Sequence, residues 1–168
     1  MTSTTSPPAS GHWLALIGWL ALVAAAGALG AVASVDAAAF YAKLVRPSWA
    51  PPAAAFGPAW TLLYALMALA AWLVWREKDA PGRAGALGLF VVQLAVNALW
   101  SWLFFAWHRG ILAFADILLL DLLVVATIAA FARVRPLAAW LMVPYLAWIA
   151  FATALCFRVW QDNPGSLG

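Results

Sequence analysis

Five separate apolar segments dominate the sequence, and each is long enough to cross a lipid bilayer as a helix. They cover residues 13–35, 56–76, 84–107, 110–133 and 136–160. About 20 helical residues span the hydrocarbon core, and these segments are rich in Ala and Leu, without the alternation of a membrane strand. A helix satisfies its backbone polar groups internally, as lipid requires. The pattern predicts an all-α membrane protein, a bundle of five transmembrane helices with a long lid loop between helices 1 and 2.

The composition supports the same interpretation. The chain is 67% hydrophobic and 9% charged, with a mean hydropathy of +0.95, whereas soluble domains carry about 25% charged residues. The net charge of +3 indicates anchoring to lipid headgroups and not nucleic-acid binding. The single cysteine, Cys156, allows no internal disulfide, and no metal-ligand spacing, cofactor motif or catalytic residue set is found. The lipid bilayer is therefore an expected partner, and no metal or cofactor is expected.

The five segments are expected to form one domain, residues 13–161. Residues 1–12 lack the Lys or Arg of a signal peptide and are expected to be a short disordered tail, with a second tail at 162–168. An odd number of spans places the two ends of the domain on opposite sides of the membrane. Five basic residues on one side against four on the other do not decide the orientation.

The connection between the first two segments, residues 36–55, is the longest in the chain. A connection of this length on a compact bundle is usually functional. Pro47, Pro51 and Pro52 stiffen it, which lowers the entropy cost of holding one closed shape. Lys43 and Arg46 are expected near the mouth of the site that this connection would cover, where they would meet carboxylates of a ligand. The connection is therefore interpreted as a lid.

Three segments place polar and aromatic side chains on single helical faces. Trp60 and Tyr64 lie four residues apart; the third segment shows an i, i+4, i+7, i+8 pattern, and the fifth a similar one. Because polar groups are costly in lipid, these faces should turn inward, in the half of the bilayer under the lid. We expect an aromatic pocket there. The other two faces comprise Gln93, Asn97, Trp100 and Ser101, and Tyr145, Trp148, Ala152 and Cys156.

Each of these features has a purely structural alternative. Aromatic stripes at helical spacing often serve packing alone, and Asn97 would then only join helices. Asp116 and Asp121 lie within the fourth segment and point about 140° apart, so they do not predict a paired acid–base site. A hydrogen bond from Asp121 to a neighbouring helix or subunit is favoured over a proton relay, and its exchange for Asn should leave ligand affinity nearly unchanged.

Three blocks closely resemble the TspO/MBR family, also called translocator protein, tryptophan-rich sensory protein or peripheral-type benzodiazepine receptor. They are FYAKLVRPSWAPPAAAFGPAWTLLYALM from Phe40, QLAVNALWSWLFF from Gln93 and VPYLAWIAFATALCFRVWQDN from Val143. The resemblance implies a five-helix bundle, commonly a homodimer. It implies a pocket under the first loop for porphyrins, sterols and benzodiazepine-type ligands, in a bacterial cell membrane or the mitochondrial outer membrane.

Carried over by position, the resemblance implies ten ligand-binding residues. They are Tyr41, Trp49, Phe56, Trp60, Tyr64, Asn97, Trp100, Trp148, Ala152 and Leu155. The chain departs from the family pattern at Phe40 and Cys156, where Trp and Asn are usual. Phe157 and Gln161 stand where the sterol-recognition segment has Tyr and then Arg or Lys, which argues against tight cholesterol binding there.

The function expected from these features is a membrane receptor or carrier for porphyrins and similar flat hydrophobic molecules, with a transport or stress-sensing role. The alternative is a light-dependent porphyrin-degrading enzyme that uses pocket tryptophans, although no residue set for catalysis is found. A third possibility is a stress-responsive regulator that acts through a partner protein.

Overall fold

The computed structural model describes residues 9–168, with side chains from Gly11 onward. Most of the expected N-terminal tail lies outside the described residues, and the last four residues assigned to it already belong to the first helix. The helices are α1 (Ala9–Ala33), α2 (Ala37–Lys43), α3 (Phe56–Arg76), α4 (Arg83–Ser101), α5 (Gly110–Val134) and α6 (Pro136–Asp162). A 3₁₀ turn, Ala53–Ala55, precedes α3, and a π-helical turn, Trp102–Ala106, extends α4.

Five of these helices are long and apolar enough to span a membrane, namely α1, α3, α4, α5 and α6. They form a closed ring in which α1 packs on α3, α3 on α6, α6 on α5, α5 on α4, and α4 on α1. The predicted fold class, a bundle of five transmembrane helices, is confirmed.

Local sequence explains the helix boundaries. Pro136 opens α6 at its first turn, where the missing N–H costs nothing, and the preceding Arg135 is extended (φ −151°, ψ 99°), as a residue before proline prefers. Gly82 adopts φ 80° just before α4, a conformation that glycine tolerates without steric cost. His108 has φ 52° in the short turn between α4 and α5.

The connection after α1 is more ordered than the expected loop. Its first part forms helix α2, with the sequence AAAFYAK, because alanine has the highest helix propensity and the connection contains no proline before Pro47. The proline-rich remainder is irregular up to the turn at Ala53–Ala55. The lid is therefore a short helix followed by a stiff extended segment.

The ring is filled at one end and hollow at the other. At the end away from the lid, Met67, Val74, Phe90 and Phe131 are fully buried, and the rings of Phe90 and Phe131 stack with centroids 5.8 Å apart. The outside of the bundle is apolar, as at Trp140, which is 71% exposed; such a surface suits lipid. The end that carries the lid, called here the lid end, holds the cavity described next.

Candidate ligand cavity

A cavity of about 430 Å³ lies inside the ring at the lid end. This volume falls within the range of about 300–1,000 Å³ that is common for small-molecule sites. All five spanning helices and the lid helix α2 contribute to its wall. The wall is mainly apolar and aromatic, with polar groups at a few positions. The aromatic lining residues are Tyr41, Phe56, Trp60, Tyr64, Trp100, Phe104, Phe105 and Trp148.

Helices α3 and α4 supply one hydrogen-bonded pair of the wall. Trp60 and Tyr64 lie side by side on α3, with ring centroids 5.1 Å apart. The Tyr64 hydroxyl donates to Asn97 Oδ1 on α4 over 3.1 Å. The Asn97 side chain thus connects two helices and also lines the cavity, so packing and ligand contact are compatible for this residue.

A second polar pair lies outside the cavity lining. The Tyr145 hydroxyl on α6 donates to Gln93 Oε1 on α4 over 3.0 Å, and both side chains are fully buried. Gln93 and Tyr145 share helical faces with Asn97 and Trp148, but neither lines the cavity. The inward polar faces therefore contain a cavity layer and, next to it, a packed layer in which the Tyr145 ring meets Trp60 with centroids 6.2 Å apart.

The π-helical turn shapes the α4 wall. The Trp107 amide bonds to the Trp102 carbonyl over 2.8 Å, and this wider turn brings Phe105 to the wall together with Trp100 and Phe104. Trp100 and Phe104 stack with centroids 5.0 Å apart. The Trp100 Nε1 atom is buried and has no hydrogen-bond partner among the described residues.

Helix α6 forms the opposite wall with Trp148, Ala152, Leu155 and Cys156. The Trp148 ring meets Phe56 edge to face, with centroids 5.9 Å apart, so the start of α3 and the middle of α6 enclose the cavity near its mouth. Cys156 is only 3% exposed, and its thiol is the one sulfhydryl of the whole sequence.

Helix α1 makes room for the aromatic groups through glycine. A Cβ atom on Gly27 would lie 2.7 Å from Cε2 of Tyr64, and one on Gly30 would lie 3.1 Å from Oγ of Ser101. Real Cβ atoms do not approach neighbours as closely as the first of these. The small residues of α1 therefore permit close packing against α3 and α4, and both glycines also line the cavity.

The lid covers the cavity through Tyr41 of α2, which is 6% exposed and lines it. Its hydroxyl donates to the Pro51 carbonyl over 3.3 Å, and the Arg46 guanidinium lies 4.7 Å from the ring centroid, a cation–π geometry. Burial raises the pKa of Tyr41, and this effect exceeds the opposing influence of Arg46. Tyr41 is therefore neutral at physiological pH.

Nine of the ten expected ligand-binding residues lie together on the cavity wall. Trp49 does not. The Pro47–Ala50 turn, closed by an Ala50 N to Pro47 O bond of 3.0 Å, directs Trp49 outward, where it is 47% exposed and touches the edge of Phe151. Lys43 is exposed on α2, and Arg46 packs on Tyr41, so neither expected lid charge enters the cavity.

The structure also places lining residues that the sequence patterns did not single out. Phe104 and Phe105 lie four residues beyond Trp100 and Ser101, in the π-helical turn and past the end of the face that the sequence pattern identified. Ile117 and Leu120 of α5 are apolar residues in an apolar helix, without a distinguishing signal. The other residues of this kind are Ala37, Ala38, Ala53, Gly57, Ile149 and Val159. The four small lining residues in or directly after α1 are Gly27, Gly30, Ala31 and Ser34, whose four-residue spacing is itself a signal of close helix packing.

The two membrane carboxylates lie outside the cavity lining. Asp121 Oδ2 accepts a hydrogen bond of 2.8 Å from the Thr153 hydroxyl of α6, as expected for a contact between helices. Asp116 is 8% exposed and does not pair with Arg109, since the ion pairs of residues 9–168 are Arg135–Glu77 and Arg158–Asp162. Among the described residues, no charged side chain lines the cavity.

Comparison with known proteins agrees with this architecture. The model of the TspO/MBR family matches residues 19–161, a range that begins within α1 and ends within α6. The chain is 43% identical to the translocator protein of Homo sapiens over 131 residues, covering 77% of this chain and 78% of the relative.

Two bacterial relatives extend the match. The chain is 42% identical to protein CrtK of Rhodobacter capsulatus over 144 residues, covering 84% of this chain and 88% of the relative. It is 38% identical to the tryptophan-rich sensory protein of Cereibacter sphaeroides over 151 residues, covering 90% and 92%. With its five spanning helices and these matches, the chain is a multi-pass integral membrane protein that belongs to the TspO/MBR family.

Proposed function

We propose that this protein is a membrane receptor or carrier for porphyrins and similar flat hydrophobic ring compounds, with a transport or sensing role. The observation that carries the proposal is an aromatic-walled cavity of about 430 Å³, enclosed by five helices and covered by the lid. The names of two relatives, a translocator protein and a tryptophan-rich sensory protein, describe such roles for those proteins. Sterols and benzodiazepine-type drugs are further hydrophobic candidates for the same cavity.

The wall suggests how such a ligand would be held. Trp60, Trp100 and Trp148 would stack on the faces of the ring system, while Tyr64 and Asn97 would exchange hydrogen bonds with polar atoms at its rim. Because no charged side chain among the described residues lines the cavity, the carboxylates of a porphyrin would remain at the mouth. Lys43 and Arg46 on the lid are the cations near that position.

The test is quenching of tryptophan emission by protoporphyrin in detergent, compared between the unmodified protein and a Trp60→Ala, Trp148→Ala double variant. Each ring contact contributes about 0.5–1.5 kcal/mol beyond surface burial, so the double variant should raise the dissociation constant about tenfold or more. Trp140→Ala is the matched control, because Trp140 lies on the outside of the bundle and is 71% exposed. Equal saturable quenching in all three proteins would refute the stacking contribution.

The proposal includes a homodimer in the membrane, as the family resemblance implies. Light scattering of the purified protein in detergent tests it, and a monomeric mass at all concentrations would contradict it.

A second candidate, light-dependent porphyrin degradation, is favoured by one contact. Trp60 and Tyr64, both oxidisable aromatics, lie with ring centroids 5.1 Å apart on the cavity wall. A new absorbing product that forms only under illumination, and that fails to form in Trp60→Phe at saturating porphyrin, would favour the enzyme. Binding without any product would favour the receptor.

A further inference from the structure

The turn that follows α6 is bonded directly to the lid through Asn163. Asn163 Oδ1 accepts from the Val45 amide over 2.8 Å, and its Nδ2 donates to the Val45 carbonyl over 2.8 Å. The second Nδ2 hydrogen goes to the Val159 carbonyl over 2.7 Å. The Asn163 side chain is 8% exposed, and both of its Nδ2 donors are used.

These bonds are the polar attachment of the lid to the bundle. Val45 lies two residues beyond the end of α2 and four residues after Tyr41, which lines the cavity. Among the described residues, the two bonds to Asn163 are the only hydrogen bonds that join residues 38–52 to parts of the chain outside the connection 36–55. The lid also packs through apolar and aromatic side chains, such as the buried Leu44 and Phe40, whose ring centroid lies 4.2 Å from that of His108.

The Asn163 side chain is itself held in place by the residues that follow it. Residues 163–167 form a turn in which the Asn163 carbonyl accepts from the amides of Ser166 and Leu167. Leu167 is fully buried in the apolar cluster that contains Tyr41 and Cys156. The Leu167 carbonyl accepts from the Gly110 amide over 3.1 Å, so the turn is joined to the start of α5 as well as to the lid.

Glycine is needed at position 110 for this arrangement. A Cβ atom there would collide with the Trp160 ring and lie 2.7 Å from the Leu167 carbonyl oxygen. The turn therefore occupies a defined site between α5, α6 and the lid.

We propose that the Asn163 side chain holds the lid closed and thereby sets the rate at which ligands enter and leave the cavity. The inference rests on the proposed function and adds to it a residue outside the cavity wall, which acts by positioning Val45. Opening of the lid requires that both bonds between Asn163 and Val45 break. Removal of the amide should therefore speed entry and exit together and leave the affinity almost unchanged, because the wall is intact.

The first experiment needs no porphyrin. Cys156 is the single cysteine of the sequence and lies on the cavity wall, so the rate at which a charged methanethiosulfonate reagent modifies it reports opening of the cavity. Asn163→Ala should raise this rate about tenfold, the factor expected from the loss of two ordinary hydrogen bonds. The matched control is Asp162→Asn, at the neighbouring residue whose side chain pairs with Arg158 and not with the lid. An unchanged rate in Asn163→Ala would overturn the inference.

The second experiment measures protoporphyrin association and dissociation rates by stopped-flow quenching. In Asn163→Ala both rates should rise by a similar factor, with the dissociation constant changed less than about threefold. A rise in the dissociation rate alone would mean damage to the wall and would overturn the inference. If the unmodified protein binds no porphyrin at all, the proposed function fails, while the thiol measurement still decides the role of Asn163.

A third measurement covers the case that Asn163→Ala does not fold. In the unmodified protein, hydrogen exchange at the Val45 amide and modification of Cys156 should report the same opening, with similar protection. A Val45 amide that exchanges far faster than the reagent enters would show that the lid opens without Asn163 controlling the cavity, and it would overturn the inference.

Discussion

At the scale of single residues, two similar hydrogen bonds have different positions and therefore different expected roles. Tyr64 donates to Asn97 on the cavity wall, and Tyr145 donates to Gln93 outside it. Both pairs join a tyrosine hydroxyl to a side-chain amide of α4. Only the first pair can reach a ligand, while the second satisfies polar groups in a fully buried site.

We predict that the two Tyr→Phe substitutions affect different properties, ligand affinity in one case and stability in the other. Tyr64→Phe should weaken porphyrin binding by about three- to tenfold, because about one hydrogen bond is lost. Tyr145→Phe should leave the affinity unchanged but lower the free energy of unfolding by about 1–3 kcal/mol, because the Gln93 acceptor is left buried and unpaired. Quenching titrations and thermal unfolding in detergent measure the two quantities. An affinity loss in Tyr145→Phe equal to that in Tyr64→Phe would contradict the assignment of two layers.

A glycine of α1 offers a second prediction at this scale. In Gly27→Ala the new methyl group would lie 2.7 Å from the Tyr64 ring, so the ring must move and the bond to Asn97 should be disturbed. We expect porphyrin affinity to fall about fivefold, in line with partial loss of one hydrogen bond and some ring packing. Gly18→Ala on the same helix, where nothing lies within 4 Å of the new methyl group, should have no effect. Equal affinities in both variants would show that the Tyr64 ring adapts freely.

At the scale of elements, the lid is the part whose closure depends on the ionisation of a buried group. The pKa of Tyr41 is raised above its ordinary value of 10.0 because burial disfavours the phenolate, although Arg46 opposes the shift. With the lid open, the hydroxyl would be hydrated and would ionise near pH 10. The neutral Tyr41 hydroxyl therefore stabilises the closed lid fully below about pH 10. This stabilisation is lost as the pH rises through the raised pKa that Tyr41 has in the closed lid.

We predict that porphyrin dissociation is insensitive to Tyr41 at neutral pH and accelerates above about pH 10. Stopped-flow dissociation between about pH 8 and about pH 11 measures it. Tyr41→Phe is the matched control, since it keeps the ring under Arg46 and removes the ionisable hydroxyl. The same alkaline acceleration in Tyr41→Phe would show that another group is responsible.

At the scale of the whole molecule, the ring of five helices is filled by side chains at one end and open inside at the other. Its outer surface has no polar cover at the middle of α5, where Leu122 is 69% exposed. Because many apolar side chains face outward and are not buried inside the bundle, such a surface is stable in contact with lipid.

We predict that Leu122→Arg impairs membrane insertion. Arginine at the centre of a spanning helix costs about 2.5–3.5 kcal/mol in insertion. Because Leu122 faces outward, no side chain inside the bundle would compensate for the charge. The fraction of protein in the alkali-washed membrane pellet measures the effect, with Leu122→Ala as the control expected to insert normally. Normal insertion of the arginine variant would mean that this face is covered by protein or reaches water.

The sequence alone determined the number and approximate limits of the spanning helices, because lipid forces continuous apolar runs into helices. The expected 56–76 segment coincides with α3, and the expected starts at 110 and 136 coincide with those of α5 and α6. The remaining limits differ by one to six residues, most at the end of α4, where the π-helical turn follows. It also indicated which faces turn inward, since polar groups in lipid must find partners.

Only the tertiary structure decided how those faces divide between a cavity and a packed interior. Gln93 and Asn97 lie one helical turn apart on α4, yet one is fully buried in packing and the other lines the cavity. The same holds for Trp49, which the loop geometry directs outward, and for Asn163, which meets Val45 across 118 positions of sequence. Periodicity records which side of a helix a residue occupies, whereas the space in front of that side depends on the approach of the neighbouring helices and the lid.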